Sequence, residues 1–172
     1  MSLSARIVEP AAQPTLKLRS PSLVHADPIP HRYRALSDGI SPPMGWSGLP
    51  PATRTLVMTM INPDAARQRR THWLVYNIQA DHDGLPEGLP HRGELPGGMQ
   101  QGVNDFGWTG WHGPNPRPGT AARYRFVLYA LDTPLPLGPG ARPAEVLHAG
   151  RGHVLAEDAL AVTATTPLFR VR

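Results

Sequence analysis

The sequence predicts a mainly β fold made of several short strands. Three observations carry that expectation. Turn formers are dense, with 21 prolines and 17 glycines among 172 residues, against about 12% for the two together in average usage. Three stretches of strand length are apolar, β-branched or alternating, and turn residues bound them. Helical periodicity surfaces only near the C-terminus. Apolar residues make up 40% of the chain and charged ones 17%, so a packed core can offset the entropy of ordering the backbone.

The elements follow in chain order. TLKLRS (15–20) alternates apolar and polar residues and reads as an early edge strand. Residues 25–50 are dominated by turns. TLVMTMI (55–61), between Pro51 and Pro63, reads as a buried strand, and Asn62-Pro63-Asp64 turns the chain after it. HWLVYNI (72–78) is a second strand. A period of two puts His72, Leu74, Tyr76 and Ile78 on one face and Trp73, Val75 and Asn77 on the other. RYRFVLYAL (123–131) is a third, with Tyr124, Phe126, Leu128 and Ala130 sharing a face. Between the last two lies a long Gly/Pro-rich stretch, 79–122, of the kind that more often carries function than not. GARPAEVLHAG (140–150) predicts a helix that Pro143 starts and Gly150 stops. GHVLAEDAL (152–160) predicts a second short helix, and LFRVR (168–172) a terminal strand. The expected organisation is one domain over 1–172, with 1–19 an irregular or edge-strand arm.

Composition excludes several function classes. The chain has no cysteine, hence no disulfide and no thiolate metal site. It has no apolar run of signal-peptide length in its first thirty residues and no 18-residue apolar stretch, so the expectation is a soluble, cytoplasmic protein without a transmembrane segment. The net charge of +4 is spread over scattered arginines, with no basic helix and no zinc finger, which argues against nucleic acid as a partner. GWSGL (45–49) lacks the glycine spacing of a nucleophile elbow. Asp81-His82-Asp83 has adjacent residues where a metal needs convergent ones. GELPGGMQQG (93–102) lacks the Lys-Ser/Thr ending of a phosphate loop. No cofactor and no metal is expected.

What is left is a set of polar groups near strand ends. His72 opens one strand, Tyr124 lies near the start of another, and Asn62-Pro63-Asp64 closes a third. If the three strands are neighbours, the imidazole, the phenol and backbone N–H groups beside Gly113 converge on one hollow suited to a small anion. A histidine packed into the core is the other reading of the same pattern.

SPPMGWSGLP, NPDAA, THWLVYNI, LPGGMQQGVNDFGWTGWHGPNPRPG, ARYRFVLYALD and GHVLAEDAL together resemble the phosphatidylethanolamine-binding protein family, in its bacterial Raf-kinase-inhibitor-like branch. The resemblance spans about residues 20–160. It implies a large antiparallel sheet packed with a smaller one, a few short peripheral helices near the C-terminus, and a small surface pocket. That pocket accepts phosphate- or carboxylate-like anions or a phospholipid headgroup. Family members are not generally enzymes; some inhibit a kinase or protease by protein contact, and the bacterial branch is often a homodimer. The family's Asp-Pro-Asp-Ala-Pro segment falls on Asn62, Pro63, Asp64, Ala65 and Ala66, so its pocket carboxylate is an amide here. Its strand-opening histidine falls on His72, its Gly-Pro wall on Gly113 and Pro114, and its His-Arg-Tyr on Ala122, Arg123 and Tyr124. The resemblance thus implies a ligand set of Asn62, Ala65, His72, Gly113, Pro114 and Tyr124, with His72 and Tyr124 as donors and Asn62 orienting His72. Arg67, Arg69 or Arg70 could add charge at the rim. Asp64 and Arg123 are expected to form a structural ion pair. Losing the carboxylate should keep His72 neutral more of the time at pH 7. Two rivals stand beside this reading: a hydrolase with His72 as general base, for which no nucleophile is evident, and an interaction scaffold with a vestigial pocket.

Overall fold

A computed structural model of the protein describes residues 15–64 and 69–168. Its frame is two antiparallel sheets. The smaller has three strands in the order β1 (Lys17–Arg19), β2 (Met44–Ser47), β5 (Gly84–Leu85). The larger has five, in the order β6 (Gln100–Gln101), β4 (Arg70–Gln79), β3 (Thr55–Asn62), β7 (Ala121–Leu131), β8 (Val154–Thr165). β3 lies in the middle of the larger sheet, and its near-continuous apolar run is explained by burial on both faces. Leu56, Met58 and Met60 enter the core between the sheets, beside Leu18, Trp46, Phe126 and Leu128. Val57 faces a second core, where Leu74, Tyr76 and Leu131 meet Val146 of helix α1 (Pro143–Gly150).

The expected strands at 15–20, 55–61, 72–78 and 123–131 are all present, and Tyr124, Phe126, Leu128 and Ala130 share the inter-sheet face as the alternation requires. Helix α1 begins at Pro143 and ends at Gly150. Glu145 Oε2 accepts the Arg142 N–H at 2.7 Å, satisfying one of the donors a helix start leaves open.

Two expectations fail. Residues 152–160 are not a helix; from Val154 they open strand β8, which pairs with β7 from Ala121 opposite Thr165 to Leu131 opposite Val154. Ala, Glu and Leu there favour a helix locally. The long ladder to β7 supplies the hydrogen bonds, and tertiary pairing overrides the local preference. The alternation that marks the strand lies further on, where Leu160, Val162 and Ala164 are buried in turn.

The second failure is the phase of β4. Two bulges each insert one residue opposite β3: the ladder runs from Leu56–Ile78 to Met58–Val75, and from Met60–Trp73 to Ile61–Thr71. The first accommodates Asn77, at φ 53°, whose amide bonds Gln100 Oε1 at 2.8 Å and the Leu135 backbone at 2.8 and 3.0 Å. It moves Ile78 into the inter-sheet core with Trp73 and Val75, away from Leu74 and Tyr76. The second makes His72 the extra residue, so His72 packs beside Tyr124 and does not share a face with Leu74 and Tyr76 as the period of two would have it.

The 79–122 stretch is held to this frame by buried polar groups. Gln101 accepts the Trp73 indole N–H at 2.9 Å and donates to the Pro90 and Arg92 carbonyls at 2.7 and 2.9 Å. Asn104 donates to the Gly110 carbonyl at 2.9 Å and accepts the Phe106 N–H at 3.0 Å, closing the 104–110 loop. Trp111 then wedges between Trp73 and Phe126, with ring centroids at 5.5 and 5.9 Å. Ala65, Arg67, most of the expected terminal strand and residues 1–14 of the N-terminal arm lie outside the described residues. Among the described residues no helix is long and apolar enough to cross a membrane.

Candidate functional site

β4 and β7 both flank β3, and their side chains meet across it. The His72 and Tyr124 rings lie 5.2 Å apart, nearly perpendicular. Both are almost fully buried, at 3% and 2% exposure. His72 exchanges two hydrogen bonds with His112: its backbone carbonyl accepts the His112 N–H at 3.0 Å, and its Nδ1 meets the His112 carbonyl at 2.9 Å. A carbonyl only accepts, so Nδ1 holds the proton. Burial pushes the His72 pKa down to about 4, and the charges of His112 and Arg70 act in the same direction against the opposing backbone hydrogen bond. The ring is neutral at pH 7.

Aromatic groups enclose this pair. Phe106 presents an edge to His72 at 4.7 Å and stacks on His112 at 3.8 Å. Trp108 meets His112 at 4.6 Å, and the Arg70 guanidinium lies 5.5 Å from the centre of the Phe106 ring. Burial lowers the His112 pKa as well. The Tyr124 phenol is raised by burial, against opposing effects of the Arg34 charge and a hydrogen bond from the Asn115 backbone.

Gly113 and Pro114 follow His112 directly. A side chain at Gly113 would place its Cβ 2.3 Å from the Tyr33 carbonyl oxygen and 2.6 Å from the Ala35 nitrogen, so only glycine fits. The Trp111 indole donates to that same Tyr33 carbonyl at 3.1 Å, which ties the 111–113 segment to residues 33–35.

The other site residues divide. Asn62 Oδ1 accepts the Asp64 N–H at 3.0 Å, an Asx turn, whereas His72 is oriented by the His112 carbonyl. Arg123 grips Asp64 with two bonds, Nε to Oδ2 at 2.9 Å and Nη2 to Oδ1 at 3.3 Å, from the start of β7 to the turn after β3. Ala122 packs against the inter-sheet core and brings no donor. His112 is not among the residues the sequence pointed to. Its position directly before the Gly113-Pro114 wall was the available signal. An open cleft of about 700 Å³ adjoins the site, lined by Leu36, His91, Trp108, Trp111, His112 and Gly113 among others; neither His72 nor Tyr124 lines it.

The two-sheet fold and this arrangement at the ends of β4 and β7 define a class. The profile of the phosphatidylethanolamine-binding protein family matches residues 19–165, and the chain belongs to that family. A UPF0098 protein of Methanothermobacter thermautotrophicus is 47% identical over 132 residues, covering 77% of this chain and 87% of that protein. The UPF0098 protein YbhB of Escherichia coli is 37% identical over 124 residues, 68% of this chain and 78% of YbhB. Among solved structures, the phosphatidylethanolamine-binding protein homolog CT736 of Chlamydia trachomatis superposes with a TM-score of 0.79 at 32% identity, covering 88% of this chain and 98% of that one. E. coli YbcL, described as a member of the mammalian family, gives 0.80 at 27% identity, with 87% and 98% coverage.

Proposed function

We propose that the protein is a non-enzymatic binding module for a small phosphate- or carboxylate-like anion, held where the His72 and Tyr124 rings meet beside Gly113 and Pro114. The observation that carries this reading is the 5.2 Å approach of an imidazole and a phenol from two different strands. It is supported by an electrostatic setting with Arg70 and Arg34 nearby and no carboxylate among the groups perturbing either ring. Ala122 leaves the site one donor short of the family pattern, which predicts weak affinity, since a hydrogen bond to a charged group contributes about 1.5–3 kcal/mol. Weak affinity suits a sensor or a docking module better than a store. Regulation of a partner protein, a kinase or protease among the candidates, is the biological role this reading favours.

Titration with methyl phosphate, followed through the His72 and Tyr124 side-chain NMR signals, tests it. Saturable shifts confined to those rings and the 112–115 backbone are expected. Unmoved signals at millimolar ligand would remove the binding claim.

A further inference from the structure

Fixing one nitrogen of His72 fixes the role of the other. With Nδ1–H facing the His112 carbonyl, the neutral ring presents Nε2 as a lone pair without a hydrogen. The groups packed on His72 give an imidazolium no support. From the 104–115 loop come the rings of Phe106 and His112, from β4 the Arg70 guanidinium, and from β7 the Tyr124 phenol. The carboxylates nearest in the chain are engaged elsewhere: Asp64 with Arg123, and Asp105 Oδ2 with the Thr71 N–H at 2.5 Å.

Tyr124 is arranged in the opposite sense. Its phenol is buried against the His72 ring, and burial keeps the hydroxyl proton in place, so the group can act as a donor. One ring offers an acceptor and the other a donor, 5.2 Å apart between centroids.

We propose that the site selects a ligand carrying one acidic proton of its own, namely the singly ionised form of a phosphate monoester. Its P–O–H donates to His72 Nε2, and its anionic oxygen accepts from the Tyr124 hydroxyl. This rests on the anion-binding reading and narrows it. A phosphodiester, the linkage that joins most phospholipid headgroups, has no such proton and sets a charged oxygen against a lone pair. The doubly ionised monoester does the same and is harder to desolvate.

The test titrates the full chain, labelled with nitrogen-15, with methyl phosphate and with dimethyl phosphate. At about pH 5.5 a phosphate monoester, with its second pKa near 6, is mostly singly ionised. Methyl phosphate is expected to bind about tenfold or more tightly than dimethyl phosphate, the loss of one charge-assisted hydrogen bond. Its affinity should fall about tenfold per pH unit once the pH exceeds that second pKa. In the complex the His72 Nε2 resonance should be that of a neutral acceptor nitrogen. Equal binding of the diester, or an imidazolium Nε2–H in the complex, would overturn the protonation rule and leave anion binding standing. Failure of both ligands at millimolar concentration would overturn the anion reading and this inference with it.

Discussion

His72 should make the protein acid-sensitive in a way that one substitution isolates. In the unfolded chain its imidazole has the ordinary pKa of 6.5; in the fold, burial lowers it to about 4. Between those values the unfolded state holds a proton that the native state does not, so stability is intact at pH 7 and falls as the pH drops. Each pH unit within that window costs about 1.4 kcal/mol, so the loss is about 2 kcal/mol by pH 5 and about 3 kcal/mol by pH 4. The perturbation is His72→Asn, whose amide nitrogen stands where Nδ1 does and can donate to the His112 carbonyl, and which never titrates. Urea unfolding of both proteins from pH 7.5 to pH 4 gives two stability curves, and their difference removes the carboxylates and the remaining histidines. That difference should bend downward for the wild type below about pH 6.5 and level off near pH 4. Parallel curves, or an NMR midpoint for the His72 ring near its unperturbed value, would refute the burial argument. The midpoint needs only the wild type, so it decides the matter even if the variant folds poorly.

Three further outcomes follow from the geometry. Gly113→Ala should destabilise by about 1–3 kcal/mol, as overpacking does, because its Cβ would sit 2.3 Å from the Tyr33 carbonyl oxygen; a thermal melt reads this. Gln101→Leu strands the Trp73 indole N–H and the Pro90 and Arg92 carbonyls, and each buried group so orphaned costs about 1–3 kcal/mol, measurable in a urea midpoint. The Asp64–Arg123 pair is solvent-exposed, so screening leaves it weak; a double-mutant cycle should give a small coupling that vanishes in high salt, and strictly additive single losses at low salt would deny the pair any role as a tie.

What could be read from the sequence, and what could not, divides along physical lines. β3 and β7 were legible because burial on both faces, or on alternate residues, leaves its mark in residue type. α1 was legible because Pro143 and Gly150 punctuate it. β8 was not, since its opening VLAEDAL has helix-forming residues and only the ladder to β7 makes it a strand. The phase of β4 was lost to two bulges; the Asn77 amide, tolerant of a left-handed backbone, was the single local hint of one of them. At the site, the side chains His72 and Tyr124 stood out as residue types, and the family resemblance supplied their proximity. His112 acts on His72 through a backbone carbonyl, a group every residue possesses, so its residue type gave no sign of that role and only its place before Gly113-Pro114 pointed to it. The Asn62 amide had two credible employments, and its oxygen takes the turn two residues on.

Because His72 occupies the surplus position of a bulge, the imidazole is not woven into the alternation that builds the sheet. Shortening β4 by that one residue would let the ladder close over the gap and keep Trp73 and Val75 in place, while abolishing the imidazole–phenol pair altogether. The imidazole–phenol pair and the architecture are therefore separable by a single deletion: a lineage could shed the first and still inherit the second.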